Sequence, residues 1–193
     1  MQLTDAFTEL VAAKTGVDQL QLINIVTGSC VHCLRKLDLR DDLDKLLQRL
    51  HTSVLGRDSL RDLKAKSVGQ PEKWLTVLQT LLNIAGGWLA FGLTDQANPI
   101  LDEARAELLA PPPSRGNPLL LDLTKLATTY IAAVGQGPAE SGLQRIAELF
   151  RKIHTNKIIN AFQTAPFYSR LHLNVAEAVV LAVLEMLSPS AVR

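Results

Sequence analysis

Cys30-Val31-His32-Cys33 is the one spacing in the chain that could support redox or metal chemistry. Two thiols three residues apart can cycle as a dithiol or supply half of a zinc tetrahedron. Each use needs a completion. Zinc requires two further ligands; His51 is the nearest candidate, while His154 and His172 lie far along the chain. A thioredoxin-like dithiol belongs in a βαβ setting, which the helical pattern around these cysteines does not supply. Leu34, not His, follows Cys33, which excludes haem attachment. Cys30 and Cys33 therefore read first as small core residues one helical turn apart, with a thiol- or metal-dependent sensor or enzyme as the alternative. No Gly-rich phosphate loop follows a strand, and Gly135-Gln136-Gly137-Pro138 reads as a loop before a helix. Ser, His and acidic residues occur without a nucleophile elbow to gather them. The expectation is a protein that is not an enzyme, with no catalytic residue, metal or cofactor.

The elements that carry these residues are helical. A first helix is expected from Thr4, with Phe7, Leu10 and Val11 on one face and Gly16 at its end. Asp18 then caps a longer helix with Leu22, Ile23, Val26, Cys30, Cys33, Leu34 and Leu37 at spacings of three and four, although its Ile-Asn-Ile-Val-Thr stretch is β-prone. Asp41 and Asp42 suit a helix N-terminus, followed by the stripe Leu43, Leu46, Leu47 and Leu50. A short charged helix falls within the connection from Gly56 to Pro71. A long helix runs from Glu72 to about Gly92, and Asn98-Pro99 resembles the start of the next. Pro111, Pro112, Pro113, Gly116 and Pro118 mark a loop. Helices are expected over 119–134, 138–152 and 171–187. The domain organisation expected is one helical domain with helix pairs over about 18–55, 72–110 and 119–153, closed by a capping or interface helix at about 171–187.

A repeat is visible in the middle of the chain. Leu81, Ile84, Ala85, Trp88, Gly92, Ala97, Leu101 and Ala104 follow an order of bulky, bulky, small, aromatic, small, small, bulky and small. Small residues let the two helices of a hairpin approach, Trp88 and Leu101 fill the space beside them, and Gly92 permits the turn. Forty-two residues on, Leu123, Leu126, Ala127, Tyr130, Val134, Ala139, Leu143 and Ile146 repeat most size classes, with Val134 and Ile146 departing. A fainter copy lies at Ile23, Val26, Thr27, Cys30, Leu34, Leu39, Leu43 and Leu46. This spacing resembles the tetratricopeptide repeat (TPR), a unit of about 34 residues; the proline-rich loop absorbs the excess length. The resemblance covers about half the chain and implies an all-α fold of antiparallel helix pairs, stacked as a short TPR-like α-solenoid, or otherwise a helical bundle.

In that family the first helix of each pair lines a concave groove. Transferring those positions selects Gln79, Leu82, Leu89, Thr124, Thr128 and Ile131 as partner-binding residues, with Asn24 and Gln21 from the fainter copy. The groove is uncharged and partly apolar and lacks the Lys and Arg clamp used on acidic peptide termini. The function implied is a protein–protein interaction scaffold that holds an apolar or amphipathic segment of a partner. The 171–187 helix either fills the groove, caps the stack or joins two copies as a homo-oligomer.

Composition narrows the remaining classes. Hydrophobic residues are 47% of the 193 while aromatics are 5%, a balance that suits helix packing over sheets. Twenty Lys and Arg against nineteen Asp and Glu leave a net charge of +1, so a nucleic-acid partner is not expected. The basic stretch Arg57, Arg61, Lys64 and Lys66 is interrupted by Asp58 and Asp62 and reads as a solvated face. Arg151, Lys152, His154 and Lys157 suit an acidic partner or a helix C-terminus equally. Trp74 to Thr94 contains no charge and is long enough to span a bilayer, but Thr76, Gln79, Thr80 and Asn83 weaken that reading. A membrane association is the second alternative, and burial between neighbouring helices the preferred account. The opening Met-Gln-Leu-Thr-Asp-Ala-Phe has no secretory pattern, so a cytoplasmic location is expected.

Overall fold

The structure, a computed structural model, describes residues 16–110 and 120–159 together with isolated positions before residue 16. The expected proline-rich loop and the expected helix at 171–187 lie outside the described residues. Among those described, the fold is all-helical and contains no strand. The order is α1 (Gly16–Lys36), α2 (Arg40–Leu55), α3 (Leu60–Lys66), α4 (Pro71–Ala90), α5 (Thr94–Leu109), α6 (Leu120–Gly135) and α7 (Ala139–Ile159).

Three hairpins recur along the chain, α1–α2, α4–α5 and α6–α7, each joined by three residues. The first two turns have the same hydrogen bonding. Leu93 N–H donates to Trp88 O at 2.9 Å across Gly92, which has φ 73°. Leu39 N–H donates to Leu34 O at 3.0 Å across Asp38, which has φ 55°. In both, a left-handed residue just past the helix lets the chain reverse and satisfies a terminal carbonyl. The third turn ends in Pro138, which has no N–H to make that bond.

The helix expected from Asp18 begins at Gly16, which opens α1 instead of ending its predecessor. Its β-prone Ile-Asn-Ile-Val-Thr stretch is helical because Ile23 and Val26 enter the core, and Thr27 donates its hydroxyl to Ile23 O at 2.7 Å. Pro99 does not start a helix; α5 begins at Thr94 and carries Pro99 inside. Having no N–H, Pro99 forgoes the bond that an interior residue would make to the carbonyl four residues back. Ser59 and Asp62 form a reciprocal capping box that starts α3.

The core gathers on α4, which packs against α1, α2, α5 and α6. Leu78, Leu81, Ile84, Ala85 and Trp88 are buried on one side of it, as are Ala97, Leu101 and Ala104 of α5, which packs against it. Gly86 and Gly87 are buried on the other side. A Cβ at Gly86 would lie 3.1 Å from the Ala133 Cα of α6, and one at Gly87 would lie 2.9 Å from Leu47 Cδ1 of α2. Both glycines therefore allow backbone approaches that a side chain would obstruct. Among the described side chains of α7, Gly142, Ile146 and Leu149 are buried, spaced by four and three, while Leu143 of the expected repeat lies one position off that face and is exposed.

Polar ties secure the periphery. Lys64 pairs with Glu103 and Glu107, each at 2.6 Å, holding α3 to α5. Arg145 Nη2 donates to Asn98 Oδ1 at 2.8 Å, linking α7 to α5. Trp88 Nε1 donates to Asp44 Oδ1 at 3.2 Å, and the Trp88 ring meets His51 edge-on at 5.2 Å, joining α4 to α2.

Two stability measurements check this packing. Asp38→Gly removes a Cβ from a left-handed position and is expected to stabilise the chain by about 1 kcal/mol in urea unfolding. Burial disfavours the His51 imidazolium and lowers its pKa from the ordinary 6.5. Above 6.5 the ring is neutral in both folded and unfolded chains, and its contribution to stability is fully present. As pH falls through and below that value the unfolded chain takes up the proton first, so stability is lost. The melting temperature of the wild type should fall more steeply from pH 7 to pH 5 than that of His51→Gln; parallel profiles would show that His51 protonation is not coupled to folding.

Candidate functional site

The polar residues of α4 lie on one side of an otherwise apolar helix. Thr76, Thr80, Asn83 and Gly87 recur at intervals of four, three and four, with Gln79 and Gly86 beside them. Above this stripe the structure has a cleft of about 340 Å³. Asn83, Gly86 and Gly87 of α4 are flanked by Asn24, Thr27, Gly28 and Val31 of α1, by Ala132 and Ala133 of α6 and by Gln136 of the turn that follows α6. The cleft thus crosses the first helix of all three hairpins. None of its lining residues carries a charge.

A chain of hydrogen bonds organises the α1–α4 side. Asn83 Nδ2 donates to Asn24 Oδ1 at 2.8 Å, Asn24 Nδ2 donates to Thr80 Oγ1 at 3.3 Å, and Thr80 Oγ1 donates to Thr76 O at 3.1 Å. Thr80 is fully buried and Asn24 and Asn83 are half-buried, so the relay runs from the core to the cleft. It leaves Asn83 with its carbonyl oxygen unengaged among the described residues. Gln136 is exposed on the α6 side, and its carboxamide makes no hydrogen bond among the described residues. Gly28 differs from Gly86 and Gly87: a Cβ there would meet nothing within 4 Å, because it faces the open part of the cleft.

The residues selected from the repeat spacing separate in the structure. Leu82, Leu89 and Ile131 are buried in the core, where they pack helices together. Leu89 lies against the α6–α7 turn, with its Cβ 3.5 Å from where a Cβ of Gly137 would stand. Gln79 is half-buried and donates through Nε2 to Asp122 O at 3.2 Å, tying α4 to the first turn of α6. Thr128 is exposed on α6; Thr124 is within α6, but its side chain lies outside the described residues. Gln21 is exposed, and Asn24 alone of the eight lines the cleft. Asn83, Gln136, Gly28 and Gly86 escaped the spacing argument. The polar interval Thr76, Thr80, Asn83 in an uncharged helix is the signal that could have found them.

Cys30 and Cys33 lie in the second half of α1, and their side chains are outside the described residues, as is that of His32. Among the described residues no group of three or more His, Cys, Asp or Glu side chains is placed to hold a metal ion. No helix among them is long and apolar enough to cross a membrane. The part of α4 that carries no charge, from Trp74 on, instead belongs to a helix that packs against four others.

Thr80→Val keeps the buried volume but deletes the hydroxyl that anchors Asn24. It is expected to cost about 0.5–1.5 kcal/mol in denaturant unfolding and to broaden the Asn24 and Asn83 side-chain amide signals in NMR spectra. Unchanged side-chain signals would mean that the relay does not position the cleft amides.

Neither a curated protein nor a solved structure matches the chain. The sequence profile of one family, described as a domain of unknown function (DUF8586), matches residues 2–187, nearly the whole length, and the chain belongs to that family.

Proposed function

We propose that the protein is a binding scaffold built as a short TPR-like stack of helix pairs, and that it holds a segment of a partner protein against α1, α4 and α6 without catalysing a reaction. The observation that carries this reading is the 340 Å³ cleft that crosses the first helix of each hairpin. Its support is the shared architecture of the three hairpins, in which α4 packs beside α1 on one side and α6 on the other. A stack of that form exposes one continuous face made by its first helices, and such faces serve extended contact with other proteins. The buried positions of Leu82, Leu89 and Ile131 move the contact surface off the apolar side of α4 and onto its polar stripe.

Gly28→Leu tests the reading because its added side chain enters open space. Replacing a helical glycine by leucine also raises helix propensity by roughly 0.5–1 kcal/mol, so the variant should fold at least as well as the wild type. Proteins cross-linked to the chain in a lysate of its source are identified by mass spectrometry for wild type, for Gly28→Leu and for Val68→Ser, which alters an exposed residue in the turn before α4. A partner reduced tenfold or more by Gly28→Leu and retained by Val68→Ser supports the scaffold. A cross-linked set indifferent to Gly28→Leu rejects the cleft as its binding face.

A further inference from the structure

We propose that the stack opens at one place as the solution becomes acidic: uptake of a proton by His51 releases the α1–α2 hairpin from α4, and the wall that α1 gives the cleft goes with it. This rests on the scaffold reading and adds its regulation, since a segment held across α1, α4 and α6 is let go when α1 leaves.

The packing makes this hairpin separable. Among the described residues α1 and α2 pack on each other and on α4, and neither packs extensively on α5, α6 or α7. In a stack whose units contact only their neighbours, an end unit can come away while the others stay folded. A short run of α4 holds it. Asn24 of α1 donates to Thr80 at 3.3 Å and accepts from Asn83 at 2.8 Å. Leu47 of α2 and Val31 of α1 close over Gly87, where an added Cβ would lie 2.9 and 3.0 Å from their methyl carbons. The next residue, Trp88, donates to Asp44 Oδ1 at 3.2 Å and meets the His51 ring edge-on at 5.2 Å. Half-buried His51 thus stands against the residue that follows Gly87 of the cleft lining.

No neighbouring group compensates a charge on that ring. The charged residues of α4, Glu72 and Lys73, lie in its first turn, whereas Trp88 lies in its last. Between Asp18 and His32 the one ionisable group of α1 is the Cys30 thiol; the side chains of all three lie outside the described residues. On α2 the residues one turn to either side of His51 are the uncharged Leu47, Gln48, Val54 and Leu55. Asp44 is engaged by Trp88, and Arg49 pairs with Asp5 at 2.6 Å. Burial therefore holds the His51 pKa below the ordinary 6.5, and the charged ring is better solvated once the hairpin is off. Above 6.5 the ring is neutral in both arrangements and closure is at full strength; as pH falls through and below 6.5 the opened form takes the proton first, so closure weakens. Because α4, α5 and α6 contain no histidine, the contacts among them do not respond in this range.

The test follows hydrogen exchange of the full ¹⁵N-labelled chain from pH 7.5 to pH 4.5, corrected for the pH dependence of intrinsic exchange, in the wild type, His51→Gln and Val68→Ser. Protection in α1 and α2 should fall about threefold or more beyond that in α4, α5 and α6, beginning as pH passes 6.5. Val68→Ser should follow the wild type, and His51→Gln should keep α1 and α2 in step with the other helices. The wild-type course decides by itself if His51→Gln folds poorly. A loss shared equally by all helices, or one confined to the range below pH 5 where carboxylates titrate, overturns the proposal, as does a difference between the hairpins that survives in His51→Gln. A cross-linked partner sensitive to Gly28→Leu should be reduced about threefold or more at pH 5.5 in the wild type and retained by His51→Gln. Opening of the hairpin with no partner sensitive to Gly28→Leu would uphold the acid response and reject the scaffold. Such a partner, bound equally at both pH values by a chain whose hairpin stays closed, would uphold the scaffold and reject the switch.

Discussion

The fold depends on burying α4 between four neighbours with no charge on the twenty-one residues from Trp74 to Thr94. A lysine or glutamate in the middle of that helix would have to be paired or neutralised in a low-dielectric setting, at a cost of several kcal/mol. The absence of charge is thus a packing requirement of a helix with neighbours on nearly every side. It also leaves the polar stripe of Thr76, Thr80 and Asn83 as the part of α4 able to satisfy hydrogen bonds, which it does toward α1.

That arrangement gives α4 two different packing surfaces. Toward α5, which packs along it, bulky and small residues are buried together, among them Leu81 and Ile84 of α4 and Ala97 and Ala104 of α5. Gly86 toward α6, and Gly87 toward Leu47 in the middle of α2 and Val31 of α1, remove side chains and let the partners come within van der Waals contact of the backbone. Gly86 and Gly87 also line the cleft, so the same residues that permit close packing help to shape it. Gly28 belongs to the gap alone, since nothing packs against it.

The turns show how different residues can meet one backbone requirement. Gly92 takes the left-handed conformation without a Cβ penalty, while Asp38 takes it at the equivalent place after α1. Both place the following N–H on a carbonyl five residues back, and in both the next helix begins after three connecting residues. Long-range polar contacts then tie the second helices together, as between Arg145 and Asn98 and between Arg105 and Glu148, the latter pair at 3.5 Å. Such exposed pairs contribute roughly 0–1 kcal/mol each, so orientation is set mainly by the apolar surfaces beneath them.

The helices themselves were legible in the sequence because apolar residues at intervals of three and four record which side of each is buried; the stripe Leu43, Leu46, Leu47 and Leu50 is the plainest case, and all four are buried. Lack of charge also announced that α4 is enclosed. Periodicity could not say what lies opposite each face. It placed Leu82, Leu89 and Ile131 on a groove because hydrophobic residues suit a ligand and a neighbouring helix alike, and it placed Leu143 among packed residues that the rotation of α7 leaves out. The start of α5 at Thr94 and the helical state of the β-prone stretch in α1 were settled by tertiary burial overriding local preference. Only the tertiary structure brought Asn24 to Asn83, fifty-nine residues apart, and set Gln136 across from them. Their juxtaposition depends on the distances between helix axes, which glycine contacts determine in three dimensions and no one-dimensional spacing records.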